Sequence, residues 1–338
     1  DYEPWLDLSV AEDVLEQLRD ALIPLIDELN ETDADLATPF DGTYSDDDQF
    51  SLAESTLEYL GYPEEHGRLD TAPHPFSSGT QFDARVTTRF DNEDPVGSIG
   101  SVIHEFGHAT YTLGLPREAY GTPLGQNRGL TVHESQSRLW ENHVGRSASF
   151  LSSYVDLVND DLGTDISGRE LYEAANQVYP DNLIRVEADE LTYHMHIILR
   201  FEIERDLLSG DLDVADVPEA WNAKMEEYLG VTPDTDAEGC LQDIHWAHGS
   251  FGYFPTYSLG SVLAAQLFDA AESDIDGLDA QLADGEFDAL HEWLTEEVHQ
   301  HGARYTTNEL VKRATGEEFS ADAFIDYADA KFSDLYDL

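Results

Sequence analysis

Lysine is almost missing from this chain: Lys224, Lys312 and Lys331 are the only three in 338 residues. Lysine and arginine together number 17 against 71 aspartates and glutamates, a formal net charge of −54. Nucleic acid is excluded as a partner, because such binding draws much of its free energy from cationic side chains that displace phosphate counterions. Cysteine is missing too, save Cys240. No intrachain disulfide can form, so a cytoplasmic location is expected, with Cys240 a lone buried thiol. No stretch approaches 18 uncharged apolar residues, and no membrane span is expected. The opening Asp1-Tyr2-Glu3-Pro4-Trp5 has no basic segment followed by an apolar one, so no signal peptide is expected either.

Acid-rich chains of low hydropathy are often disordered, but here 41% of residues are apolar and 11% aromatic, and they follow helical periods, which predicts a folded protein. The acids are spread along the whole sequence, the pattern of a halophilic surface. In molar salt the Debye length shrinks to about 3 Å and screens their repulsion; dilute buffer leaves it in force. The length suits one large domain or two ordinary ones, and with no linker in view a single domain over 1–338 is expected.

Apolar residues at helical spacing predict helices over 9–30, with Ser9 as N-cap, and 48–59. From Gln81 to Phe90 the period changes to two, with Phe82, Ala84, Val86, Thr88 and Phe90 on one face, which predicts a strand. Asp94-Pro95 is a helix start, the acid at N-cap and the proline at N1, and the helix runs to Gly114. A new helix begins at Thr131. Others are expected near 169–178, 181–208, 217–229, 258–271, 278–299, 307–314 and 321–335. The reading is a mainly α fold with a small β-sheet beside the active-site groove, where the polar strand edge could pair with an extended peptide.

The chemistry centres on His104-Glu105-Phe106-Gly107-His108. Four residues apart on a helix, His104 and His108 stand on one face and can point at a single ion, while Glu105 lies about 100° round the helix, within reach of a water beside that ion. A surface helix that merely contains two histidines has the same pattern, so the neighbouring residues decide. A catalytic zinc takes three protein ligands and keeps a fourth place open. The metzincin arrangement is closed, since Tyr111 and Gly114 stand where glycine and histidine would be needed. A glutamate from the following helix, the gluzincin solution, is available in His133-Glu134-Ser135-Gln136. Glu134 is the first choice for third ligand and Glu118 the second. Cobalt or manganese could occupy such a site as well as zinc.

The ordered series His74-Pro75-Phe76, Asp83-Ala84-Arg85-Val86-Thr87, His104 to His108, His133 to Gln136, Ile184-Arg185-Val186-Glu187-Ala188-Asp189-Glu190 and Gln242-Asp243-Ile244-His245-Trp246 resembles the carboxypeptidase Taq family of metallocarboxypeptidases. The likeness continues through Gly252 to Tyr257 and His299 to Gly302. It implies a largely helical fold with a deep groove, a homodimer, and metal-dependent release of single C-terminal residues from peptides, with His104, His108 and Glu134 as ligands and Glu105 as general base. Family members carry further helices ahead of the segment that begins here at Asp1. The spacing of His248, Tyr253 and Tyr257 is similar to a segment of the thimet-type oligopeptidases, which implies Tyr257 or Tyr253 as oxyanion donor with His245 or His248 assisting. For the free carboxylate of a peptide, an arginine fork is the expected partner: Arg185 first, Arg85 second, each also able to form an ion pair with nearby acids such as Asp83, Glu187, Asp189 or Glu190. Two other readings stay open: a catalytically silent or partner-dependent peptide-binding fragment that keeps the metal, and an oligopeptidase cutting internal bonds.

Overall fold

A computed structural model describes residues 2–3, 6–179 and 181–338. The pentapeptide Asp1 to Trp5 thus lies partly outside the described residues. Thirteen α-helices and one three-stranded sheet make up the regular structure among them, so the mainly α expectation holds. The chain divides into two compact units, one made of residues 1–35, 176–259 and 320–338, the other of 36–175 and 260–319.

The first unit is built on α1 (Leu8–Glu31), α7 (Thr192–Ser209), α8 (Val217–Leu229) and α13 (Asp322–Tyr336). The cap of α1 is Asp7, not Ser9; its carboxylate accepts from the Ser9 backbone N–H at 3.2 Å. Helix α7 starts eleven residues later than the apolar pattern predicts. The cause is Asp189, whose Oδ1 accepts from the backbone N–H groups of Leu191 and Thr192 and fixes the helix start there, leaving 181–191 irregular apart from a 3₁₀ turn at Arg185–Glu187. Nearly every side chain of α7 up to Glu204 is buried, including His194, His196, Arg200 and Glu202. Cys240 is a buried free thiol, as expected.

The second unit holds α2 (Asp46–Tyr59), α3 (Pro95–Gly114), α4 (Leu130–Arg138), α5 (Ala148–Leu162), α6 (Gly168–Ala175), α10 (Leu278–Ala283), α11 (Asp288–Glu297) and α12 (Thr307–Thr315). The boundary between the units falls within α9 (Pro255–Asp274). The single helix expected over 278–299 is two, α10 and α11, interrupted at 284–287, and α5 had no separate expectation. Helix α3 begins as the sequence predicts: Asp94 accepts from Val96 N at 3.1 Å and Gly97 N at 3.4 Å, with Pro95 next. A cap of this kind contributes about 1 kcal/mol. Helix α4 runs straight into a π-helical segment, Leu139–Gly145.

The expected strand is β3 (Asp83–Thr88), and its place in the sheet corrects one expectation. It is flanked by β1 (Gly67–Thr71), parallel, and β2 (Ser77–Thr80), antiparallel, in the order β1-β3-β2. Both edges of β3 are therefore paired, and no extended peptide can add to it; the outer edges belong to β1 and β2. Ala84, Val86 and Thr88 are buried as the alternation predicts, but Phe82 is exposed, and Thr87 on the other face is buried with its hydroxyl bonded to Phe76 O.

Candidate metal centre

Helices α3 and α4 of the second unit carry the site. The rings of His104 and His108 lie one helical turn apart on α3, their centroids separated by 4.8 Å. From α4, Oε2 of Glu134 lies 3.8 Å from Nε2 of His104 and 3.5 Å from Nε2 of His108. Glu134 reaches this position because two backbones come close. At Gly107 a Cβ would stand 2.5 Å from Gln136 O and 2.6 Å from Ser137 Cα; at Gly260 on α9 it would stand 2.5 Å from Glu134 Cγ. A methyl group at either place would push Glu134 off its line. Among the described residues these three form the one group of His, Cys, Asp or Glu whose donor atoms, one each, all lie within 4.8 Å of one another. Glu118 is exposed in the turn Arg117–Ala119 and is not part of it.

The donors are held from behind. Nδ1 of His104 lies 2.8 Å from Glu141 Oε2; since an ionised carboxylate only accepts, the ring donates from Nδ1 and keeps its Nε2 lone pair for the site. Nδ1 of His108 lies 2.6 Å from Nδ1 of His133, so one ring donates and the other accepts. Arg138 donates from Nε to Glu134 Oε1 at 2.9 Å and from Nη1 to Glu141 Oε2 at 3.1 Å, and Arg146 donates to Glu141 Oε1 at 2.9 Å. Burial opposes the ionised form of Glu134, but the charges of Arg138, His104 and His108 outweigh it and hold the carboxyl below the usual range. Glu141 is held low in the same way by Arg138, His104 and Arg146. Burial first, and then the neighbouring His108, push His133 down to about 3, so it stays neutral. Glu105 is buried beside this network, and its Oε2 has no hydrogen-bond partner. Two imidazole nitrogens and a carboxylate oxygen are the donor chemistry of zinc, with cobalt or manganese as alternatives. The orphaned Glu105 oxygen fits a group that needs a neighbouring base.

The remaining expected residues are distributed as follows. In the first unit, Arg185 is buried and donates from Nε and Nη2 to Asp243 Oδ1 at 2.9 and 2.8 Å, and from Nη1 to Tyr193 Oη at 3.2 Å. Its guanidinium lies 5.4 Å from the Tyr257 ring centre and 5.7 Å from that of Phe254. The ion-pair partner is Asp243, 58 residues away, and none of the sequence neighbours. Nε2 of His245 lies 3.2 Å from Tyr257 Oη, and the rings of Tyr253 and Tyr257 stand 5.3 Å apart. Thus Arg185, His245, Tyr253 and Tyr257 share one cluster, while His248 is exposed in the turn Trp246–His248. Arg85, on β3 of the second unit, is exposed and paired with Asp83 at 2.8 Å.

Sequence reasoning assigned no role to Glu141, Arg138, His133 and Arg146 around the candidate donors, or to Asp243 and Arg200 beside Arg185. A signal was present for Arg138, four residues after Glu134, the spacing at which helix side chains meet. Glu141 was hidden by the π-helical turn, which replaces the 3.6-residue period with a wider one: its bond to Arg146 spans five residues.

Paired imidazoles and a carboxylate on successive helices, with a buried acid at hand, define a helical metallopeptidase. The carboxypeptidase Taq (M32) metallopeptidase profile matches residues 1–332. Carboxypeptidase 1 of Bacillus subtilis is 41% identical over 343 residues, covering 99% of this chain and 68% of that protein. Thermostable carboxypeptidase 1 of Thermus thermophilus is 44% identical over 291 residues, covering 85% of this chain and 57% of that one. The crystal structure of an M32 carboxypeptidase from Deinococcus radiodurans superposes with a TM-score of 0.95 at 39% identity, over 100% of this chain and 69% of its own. The chain belongs to the carboxypeptidase Taq (M32) metallopeptidase family. It spans between 57% and 69% of the length of these relatives. No helix among the described residues is long and apolar enough to cross a membrane.

Proposed function

We propose that this protein is a metal-dependent carboxypeptidase releasing single residues from the C-termini of peptides, with 1–338 acting as one catalytic domain. The observation that carries the reading is the set His104, His108 and Glu134, with its donor atoms within 4.8 Å of one another and the unpartnered Oε2 of Glu105 buried nearby. The three donors would hold Zn²⁺, or Co²⁺ or Mn²⁺ in its place. Once bound, the ion supplies Lewis-acid polarisation of the scissile carbonyl and makes water a nucleophile near neutral pH. Glu105 takes the proton from the attacking water and returns it to the departing amine. Glu141 and His133 hold the ligand rings. Tyr257 is assigned to the developing oxyanion, supported by its bond to His245, with Tyr253 and His248 as further members of the same motif. Arg185 is assigned to the substrate carboxylate, with Arg85 the second choice.

We further infer a homodimer from a halophile's cytoplasm. The support is the family membership and the net charge of −54, and a melting temperature that rises from dilute buffer to molar KCl is expected. One assay tests the activity. The protein is loaded with Zn²⁺ or Co²⁺ in molar salt, incubated with a short peptide, and the products are read by mass. Single residues shed from the C-terminus support the proposal. Internal cuts support an oligopeptidase, and no turnover with one bound ion supports a metal-retaining peptide-binding protein.

A further inference from the structure

The two oxygens of Glu134 face different partners. Oε2 looks toward the histidine pair, at 3.8 and 3.5 Å, while Oε1 accepts from Arg138 Nε at 2.9 Å. Ser137 Oγ also lies 3.4 Å from Oε2, but its shorter bond, 2.8 Å, goes to the Glu134 backbone carbonyl. The same guanidinium continues through Nη1 to Glu141 Oε2, which in turn receives Nδ1–H of His104. One planar side chain therefore touches the carboxylate donor directly and an imidazole donor through a single intermediate. Glu141 is kept in place by Arg146 on its other oxygen, across the five-residue span of the π-helical turn. Two carboxylates and two guanidiniums face one another in this network.

We propose that Arg138 is a positioning residue that commits Glu134 to donation through Oε2 alone and, by way of Glu141, holds His104 in the Nδ1–H tautomer. This rests on the metal reading of the site given above. A freely rotating glutamate can offer both oxygens to a divalent ion and fill a place that water or substrate needs. An arginine that occupies Oε1 prevents this. Lysine cannot replace it, since a point ammonium lacks the rigid fork that spans two carboxylates in fixed directions.

The test uses the whole chain as wild type, R138K and R138Q, with the exposed R169Q as control. Zinc dissociation constants are measured by competition with a chromogenic chelator, and the visible spectrum of each Co²⁺-loaded form is recorded. Both Arg138 variants should bind zinc roughly 10–100-fold more weakly, the range seen when outer partners of metal ligands are removed. Both should also show a weaker cobalt visible band, as Glu134 turns to offer its second oxygen and the coordination number rises. R169Q should match wild type. Unchanged affinity overturns the proposal, and so does weaker affinity with an unchanged cobalt spectrum, because that pattern reports a loosened fold and no turned carboxylate. If circular dichroism shows R138Q unfolded, R138K, which keeps the charge, decides by the same criteria. A wild type that binds no ion removes the metal reading itself; a wild type that binds while the variants behave like it removes this inference alone.

Discussion

Each unit buries one ionic cluster built around a pair of arginines, and the two clusters differ in the balance of bonded charges. In the second unit Arg138 and Arg146 face Glu134 and Glu141, and the charges cancel. In the first, Arg185 and Arg200 share the carboxylate of Asp243, at 2.8 and 2.6 Å, so two guanidiniums bond one acid, with the charge of Glu204 also within reach of Arg200. Nη2 of Arg200 has no partner. Burial, offset in part by Asp243, pulls Arg200 down to about 10. A balanced cluster that aims two imidazoles and one carboxylate oxygen at a common point suits a cation. An unbalanced pair of guanidiniums beside tyrosine and phenylalanine rings suits a carboxylate. In a chain with 17 basic residues among 338, the second arrangement is the rarer resource.

That contrast can be broken most sharply at Glu105. E105Q keeps the shape and removes the proposed base, and kcat should fall by about 10²–10⁴-fold while bound metal stays at the wild-type level; loss of metal along with activity would make Glu105 a structural group. The next effect belongs to the cluster around Asp243. D243A leaves two buried guanidiniums without their bonded counter-charge and should cost about 3–5 kcal/mol in urea unfolding, the scale for removing one partner of a buried pair. R146Q, which leaves Glu141 bonded to Arg138 and His104, should cost clearly less. Equal losses would mean that charge balance does not distinguish the clusters.

A third measurement separates recognition from support. R185A should raise KM for peptides with a free C-terminus much more than for amidated ones, on the order of tenfold or greater for loss of a charge-assisted bidentate contact. R85A, on an exposed pair, should do little to either. Equal effects of R185A on both peptides would assign Arg185 to structure alone.

A fourth measurement is a pH slope. Burial, reinforced by Arg200, pushes His196 of the first unit down from 6.5 to about 3. Burial, reinforced by His291 and His133, does the same to His299 of the second. The unfolded chain takes up protons at these rings as pH drops below about 6.5 while the folded chain does not. Stability should therefore decline toward pH 3, by roughly 1.4 kcal/mol per pH unit for each histidine. H299Q in the metal-free protein should flatten the slope by one such share; an unaltered slope would show that His299 titrates normally in the fold.

What was legible in the sequence was local. The α3 start at Asp94-Pro95, the one-turn spacing of His104 and His108, and an acid on the next helix all follow from short-range rules. The late start of α7 was not legible, because the apolar period runs on through 181–191 while Asp189 caps the helix beyond it. Strands β1 and β2 are four or five residues long and lie mostly at the surface, so they leave no alternation to read. The partner of Arg185 was sought among adjacent acids, whereas the fold supplies one 58 residues away; no periodicity encodes such a pairing.

The bare position between Phe106 and His108 narrows what this motif can become. In its general form the motif tolerates any side chain there, yet here a Cβ would collide with main-chain atoms of Gln136 and Ser137, which cannot swing aside as a flexible side chain would. Any diversification of residue 107 must first part α3 and α4, so, on the proposed metal reading, a library randomised at that codon should return glycine among variants that bind the ion.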